Sequence, residues 1–451
     1  MLSRNRLVTL LVYLVFGLLC FGETLFYSRV VGTGVMPDEI AHTSYVSYLV
    51  ETGRFIPEFP EMRIFAPDGS WGHIPNYIAH PPLYYHLLRW TQPDSRSGFT
   101  REALILRARV ATPWLGLAAI ILMMWIGFRL EMPLPAHLVY AGGLATVPMF
   151  SFGLAGVNND VLAWFAGGLT ILGLCRWSED RRGIRTASLL GAGIGLALLA
   201  KLTAALLCIV AVLLVILRSV VIERPNRVRE WTIPMILIIA CSLPGIIYHG
   251  TQLAKYGTFF PRGAVVSSNE APASAVAEIS QLEDSSRHTP FRWAQEFSSA
   301  MAGTWVNIVG HKFTDRQSPL QAIGLLLLPV LAAVGFLMRH NPRDPALSTI
   351  LPSLRSAAVA CVVVVVAHFF YTYRAHMLTN FTGGVSARYY FPMLPALLLL
   401  AARPFSVFHR HRGSVFVALI LVALLGYANL TAFVEVAHNP GWHAAMQPPG
   451  R

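Results

Sequence analysis

Charge is what this sequence has least of. Only 13% of its 451 residues are Asp, Glu, Lys or Arg, about half the share found in an ordinary soluble domain. A chain of this length with so little charge cannot cover a water-facing surface, which excludes a soluble globular protein. Cysteine is scarce too. The five, Cys20, Cys175, Cys208, Cys241 and Cys361, all lie inside apolar runs at no metal-type or disulfide spacing, so they read as small membrane hydrophobes. A signal-peptide cleavage site is missing: no small-x-small pattern follows Leu7 to Leu19, and Leu19 stands before Cys20 where a lipoprotein site needs a small residue. The N-terminus therefore reads as an uncleaved first span. Acidic residues are outnumbered 23 to 35, giving a net charge of +12. No basic stretch has the interleaved aromatics of a nucleic-acid surface, so nucleic acid is excluded as a partner.

What is present is apolar length. The chain is 55% hydrophobic, with a mean hydropathy of +0.54. Crossing a bilayer takes about 20 apolar residues. Candidate spans fall near 7–27, 109–128, 134–152, 158–175, 186–200, 203–221, 232–250, 319–338, 356–373, 389–403 and 413–434, the fifth and tenth being short. The fold class is all-α, a polytopic membrane protein of about eleven helices in a single transmembrane domain over 1–451. Alternating these spans from a cytoplasmic N-terminus puts 17 of the 35 basic residues in short inner loops, from Arg4 and Arg6 to Arg410 and Arg412. Every inner loop is then basic, as topology rules require. These bases also face anionic lipid headgroups. An Arg-rich, unprocessed N-terminus fits a bacterial inner membrane.

Two outer loops are long, 28–108 and 251–318. The first is rich in Pro and aromatics, such as Phe55, Pro57, Phe59, Pro60 and Trp71, and is expected to fold back on the membrane surface through interfacial helices. The second is more polar, and its stretch 267–290 reads as flexible. No internal repeat stands out. Gly167-Gly168 and the Gly191, Gly193, Gly195 series read as small faces for close helix packing.

Ionisable residues at membrane depth are costly, so those at the outer span ends carry the functional reading. Asp38 and Glu39 follow the first span in Met36-Pro37-Asp38-Glu39-Ile40-Ala41-His42. They suit either a helix start or a carboxylate general base. His80-Pro81-Pro82-Leu83-Tyr84-Tyr85 is either a rigid turn into an interfacial helix or a device presenting His80 at a fixed angle. In Asn158-Asn159-Asp160 capping accounts for one residue, but not for Asp160 pointing into a span. Lys201 either snorkels to the interface or meets an anion. Arg388-Tyr389, at the top of the tenth span, either anchors the helix or binds lipid phosphate bidentately. Together they put acids, amides, a histidine and two cations at one depth, fitting a site that binds an anionic lipid-linked group and deprotonates a hydroxyl. No His, Cys and Asp cluster has ligand spacing, so no metal is expected.

These motifs, in this order, resemble the GT-C superfamily of membrane glycosyltransferases that use polyprenyl-phosphate sugars. The likeness is to the branch with protein O-mannosyltransferases and the lipid A aminoarabinose transferase. It extends to a bacterial membrane family marked by an early P-D-E-x-x-H. It rests on Asp38-Glu39, Pro81-Pro82-Leu83-Tyr84, Asn159-Asp160, Gly195 to Lys201, and Arg388-Tyr389 with Pro392 and Pro395, and spans nearly the whole chain. It implies an inverting transfer of a monosaccharide from a polyprenyl-phosphate donor to a hydroxyl of a glycan, lipid or protein acceptor, on the extracytoplasmic face. Asp38 or Glu39 is then the base and Asp160 a second acid, while Lys201 and Arg388 neutralise the leaving phosphate. His42, His80, Tyr84, Asn158, Asn159 and Tyr389 are binding candidates, and the donor is a substrate, with no cofactor. The chain departs from many such enzymes in ending about 17 residues past its last span, without a large soluble C-terminal domain, so acceptor recognition is expected from the outer loops. Two other readings stand beside this one. A lipid-linked glycan polymerase or ligase would use an Arg/His-rich outer loop, here Arg262, Arg287, His288, Arg292 and His311. A transporter or flippase would put its polar residues near the midplane of repeated halves.

Overall fold

A computed structural model of the chain describes residues 4–179, 183–223, 228–259, 261, 288–310, 319–342, 344–379, 384–411 and 413–445. The stretch 267–287, the loop residues Arg262, Arg287 and His311, and the inner arginines at 181, 182, 224, 227, 343 and 412 lie outside them.

Every apolar run read from the sequence is helical. The long ones are α1 (Arg4–Val30), followed in the first outer loop by α2 (Glu39–Thr52), α3 (Leu83–Leu88) and α4 (Arg101–Arg109), and then α5 (Thr112–Phe128). Next come α6 (Leu134–Thr146), α7 (Pro148–Ala155), α8 (Asp160–Ser178), α9 (Ile184–Ala200), α10 (Leu202–Glu223) and α11 (Val228–Tyr256). The second loop supplies α12 (Pro290–Val306). After it come α13 (Pro319–Leu337), α14 (Pro345–Thr379), a 3-10 turn at Ala387–Met393, α15 (Leu394–Val407) and α16 (Gly413–His438). Among the described residues, eight helices are long and apolar enough to cross a membrane, counting α4–α5 as one and the 3-10 turn with α15 as another. A further crossing, α6–α7, bends by 48°, where Pro148 ends one helix and starts the next. Two shorter apolar helices, Ile184–Ala200 and Ala322–Leu337, complete the set. Leu11, Leu18, Val221, Ile236, Val362 and Phe416 point outward and exposed, which suits lipid and would be ruinous in water.

The interior is held together by close approach. α9 lies between α8 and α11: a Cβ on Gly195 would strike the Cys241 carbonyl of α11. This gives the glycine series the packing role read from sequence.

The first loop is a folded cap with a core of its own. α2 is buried from Ala41 to Leu49, and its polar side chains bond the rest of the loop. Ser47 donates to Gln92, Ser44 accepts from the Phe65 amide, and Asn76 donates to the Ala41 carbonyl. The sequence reading did not include the short antiparallel hairpin of β1 (Arg63–Phe65) and β2 (Trp71–Pro75), whose strands are too brief to leave a period-2 pattern.

Candidate active site

Chain geometry around four charged residues brings together one end of the bundle. Asp38 is the N-cap of α2, yet its side chain makes no capping bond. It is the one non-glycine residue with positive φ among the described residues, at 55°. That conformation costs about 1–2 kcal/mol for most L-residues and is tolerated best by short polar ones. The twist turns the carboxylate away from its own helix: Oδ1 accepts from the Tyr77 hydroxyl at 2.9 Å and Oδ2 faces Arg388 Nη2 at 3.6 Å. Asp38 thus stands at the helix start, but its side chain caps nothing there.

Asp160 opens α8 with its side chain buried. Asn158 Oδ1 accepts from the Asp160 amide at 2.9 Å, so Asn158 is the residue that dresses the helix end. Asn159 donates to the Ala200 carbonyl at 2.6 Å, tying the start of α8 to the end of α9. The next residue after Ala200 is Lys201, an extended break between α9 and α10. The tie delivers its Nζ to Asp160 Oδ1 at 2.6 Å. Lys201 does not snorkel; it is buried in an ion pair.

Arg388 arrives from the far end of the sequence on the 3-10 turn. Trp164 of α8 donates to the Arg388 carbonyl at 3.2 Å, and Thr304 of α12 accepts from the Ala387 amide at 2.7 Å. Gly167 permits the approach, since a Cβ there would collide with the Pro392 carbonyl. The guanidinium then lies 3.5 Å from Asp160 Oδ2 as well as 3.6 Å from Asp38. Both cations stack on Tyr389, Lys201 Nζ at 4.4 Å and the Arg388 guanidinium at 5.4 Å from its ring centre. Of the four charged side chains, Asp38 is the open one, 37% exposed against 3% for Asp160, 11% for Lys201 and 10% for Arg388.

The histidines sit beside this group. His42 and His80 stack at 5.9 Å, and His42 Nδ1 pairs with the Tyr85 hydroxyl at 2.9 Å. Burial pushes His42 down to about 3, helped by the Lys201 and Arg388 charges and opposed by Asp38 and Asp160. Its imidazole is neutral. Burial and the Asp38 carboxylate push the Tyr77 phenol well above its ordinary value, so Tyr77 stays a donor. Tyr84 is fully buried, edge-on to Tyr85.

Glu39 does not join its neighbour Asp38. It is fully buried and accepts two bonds from Arg109, at 2.7 and 2.6 Å, and others from the Gly34 and Val157 amides. Arg109 in turn donates to the Ser28, Val31 and Gly32 carbonyls. Tyr77 and Arg109 were not singled out from the sequence. A lone tyrosine in an aromatic-rich loop and a lone arginine at a span boundary leave no local pattern. Among the described part of the second loop, Arg292 and His288 both pair with Glu296. No group of three or more metal-type side chains gathers among the described residues.

Comparison with known proteins adds structural likenesses at low identity. No protein-family description and no curated protein sequence matches the chain. Among solved structures, ArnT from Cupriavidus metallidurans, bound to undecaprenyl phosphate, is similar at 16% identity and a TM-score of 0.40, over 95% of this chain and 78% of that one. The oligosaccharyltransferase of Archaeoglobus fulgidus in its apo form is similar at 12% identity and a TM-score of 0.49, over 98% of this chain. This chain spans 56% of that protein's length.

Proposed function

We propose that this membrane protein is a GT-C-type glycosyltransferase that moves a monosaccharide from a polyprenyl-phosphate donor to an acceptor hydroxyl, at the bundle end holding Asp38. The observation that carries the reading is Arg388 held between two carboxylates, one buried and one open to solvent. Asp160 is neutralised by Lys201 and Arg388, so its part is to hold two cations in a partly dry pocket. There they meet a phosphate far more strongly than they would in water. Arg388 is the better-suited phosphate ligand, because its planar fork takes two oxygens at once.

A phosphate drawing Arg388 toward itself weakens the hold on Asp38 and leaves that carboxylate more basic. Asp38 then takes the proton of the acceptor hydroxyl as its oxygen bonds the sugar's anomeric carbon. The bond from that carbon to the phosphate oxygen breaks, and its electron pair leaves on the lipid phosphate, beside Lys201 and Arg388. Attack from the face opposite the phosphate inverts the centre. Glu39, enclosed by Arg109 and two amides, positions the cap and is not the base. His42, His80 and Tyr389 line the place for sugar and phosphate. The extracytoplasmic face and a bacterial inner membrane belong to the same reading, supported by basic loops at the opposite end.

The test is transfer of a radiolabelled sugar from a polyprenyl-phosphate donor in proteoliposomes. Asp38→Asn should lose about 10²–10⁴-fold in kcat with donor KM little changed. A wild-type rate in that variant removes Asp38 from the role. Turnover restricted to oligosaccharide-diphosphate lipids would replace this reading with a polymerase.

A further inference from the structure

The opposite end of the bundle carries a second cavity, lined by residues that the proposed transfer does not use. Arg218 lies about 25 Å along α10 from the Lys201 end, at the helical rise of about 1.5 Å per residue. There a cavity of about 330 Å³ opens between α10, the start of α14 and the turn after α13, lined by Arg218, His340, Ser348, Arg355, Ser356 and apolar neighbours. No carboxylate lines it among the described residues. Two other arginines at this end have one: Arg129 pairs with Glu179, and Arg403 faces Asp344. Arg355 is fixed by donating to the Phe336 and Met338 carbonyls at 2.8 and 2.7 Å, with its guanidinium over the Phe336 ring. Arg218 and His340 are exposed and have no hydrogen-bond or ion-pair partner among the described residues. One fixed cation and two unpartnered basic side chains thus surround a cavity with nothing of opposite charge among the described residues.

The cavity adjoins an apolar trough of about 490 Å³ between α13, α14 and α15, which at its other end reaches Trp305 of α12 and Tyr390 of the 3-10 turn. Val359 lines both, and Phe336, beneath Arg355, lines the trough with Ala332, Ala358 and Val362. Leu337 and Val362 leave the trough open to the lipid side, at 74% and 62% exposure. A basic pocket at the interface running into an apolar trough is complementary to one kind of molecule, an amphiphile with an anionic head and acyl chains. Inorganic phosphate would leave the trough empty. The sugar donor needs its phosphate at the other end of the bundle.

We propose that this site binds an anionic phospholipid of the leaflet opposite Asp38. Its phosphate lies among Arg218, His340 and Arg355, and an acyl chain lies in the α13–α14 trough. The full chain in nanodiscs of equimolar phosphatidylglycerol and phosphatidylcholine tests it, by native mass spectrometry of the retained lipid. Wild type should keep phosphatidylglycerol in excess. The Arg218→Gln/His340→Gln double variant should lose that excess about tenfold, as expected for removing basic residues near a lipid phosphate. Neither residue has a partner to lose among the described residues, and an unchanged Tm in lipid-free detergent verifies folding. Arg185→Gln/Arg410→Gln, removing two other exposed bases, should leave the excess intact. No preference in wild type, an unaffected double variant, an equal loss in the control variant, or displacement of the lipid by millimolar inorganic phosphate would each overturn the proposal.

Discussion

The guanidinium of Arg388 stands 3.6 Å from the Asp38 carboxylate, although the two residues come from nearly opposite ends of the chain. Two charges at that distance in a partly dry pocket attract each other more strongly than they would in bulk water. Replacing Arg388 by Lys keeps the charge and removes the fork that spans both carboxylates. We expect a fall of about 10²–10³-fold in kcat/KM, the range for deleting one transition-state donor. An R388K variant with wild-type kcat/KM in the donor assay would deny Arg388 a part in phosphate stabilisation.

Tyr77 donates to the other Asp38 oxygen at 2.9 Å. Tyr77→Phe removes one hydrogen bond and little else, so about 1 kcal/mol, or roughly fivefold in rate, is the expected loss. Its pH–rate profile should shift to higher pH on the acid limb, because a carboxylate that loses a donor holds its proton more tightly.

Glu39 and Arg109 give the opposite pattern. Glu39→Gln leaves a buried guanidinium without its counter-charge, which costs about 3–5 kcal/mol of stability. Thermal melting in detergent should show a large drop in Tm, while activity per folded molecule stays near wild type. A folded, inactive E39Q protein would instead return Glu39 to the reaction.

Gly167 tests the placement of Arg388. Gly167→Ala puts a methyl group against the Pro392 carbonyl and pushes the 3-10 turn off α8. The expected result is a loss of transfer activity larger than the change in Tm, measured on the same preparation.

His42 sets an acid limit on stability. Its folded value is about 3, below its ordinary 6.5, so between those values the unfolded chain binds the extra proton. The stabilisation is complete above pH about 6.5 and is lost as pH falls toward 3. Melting temperatures taken across that window should decline with falling pH, and His42→Gln, which cannot take up the proton, should decline less.

The crossings were legible in the sequence because membrane insertion is a local property: an apolar run of sufficient length is a span whatever its neighbours do. The positions of Asp38, Asp160, Lys201 and Arg388 at span ends were legible for the same reason, since a charge at that depth stands out against apolar surroundings. What each charge touches was decided only by tertiary structure. Asp38 and Glu39 are adjacent and chemically alike, yet a left-handed backbone turns one to solvent and Arg388 while its neighbour is sealed against Arg109. Asn159, Lys201 and Gly167 act by joining α8 to α9 and to the 3-10 turn. Such joints depend on which helices lie side by side, and hydropathy, being the same for every lipid-facing helix, carries no record of that.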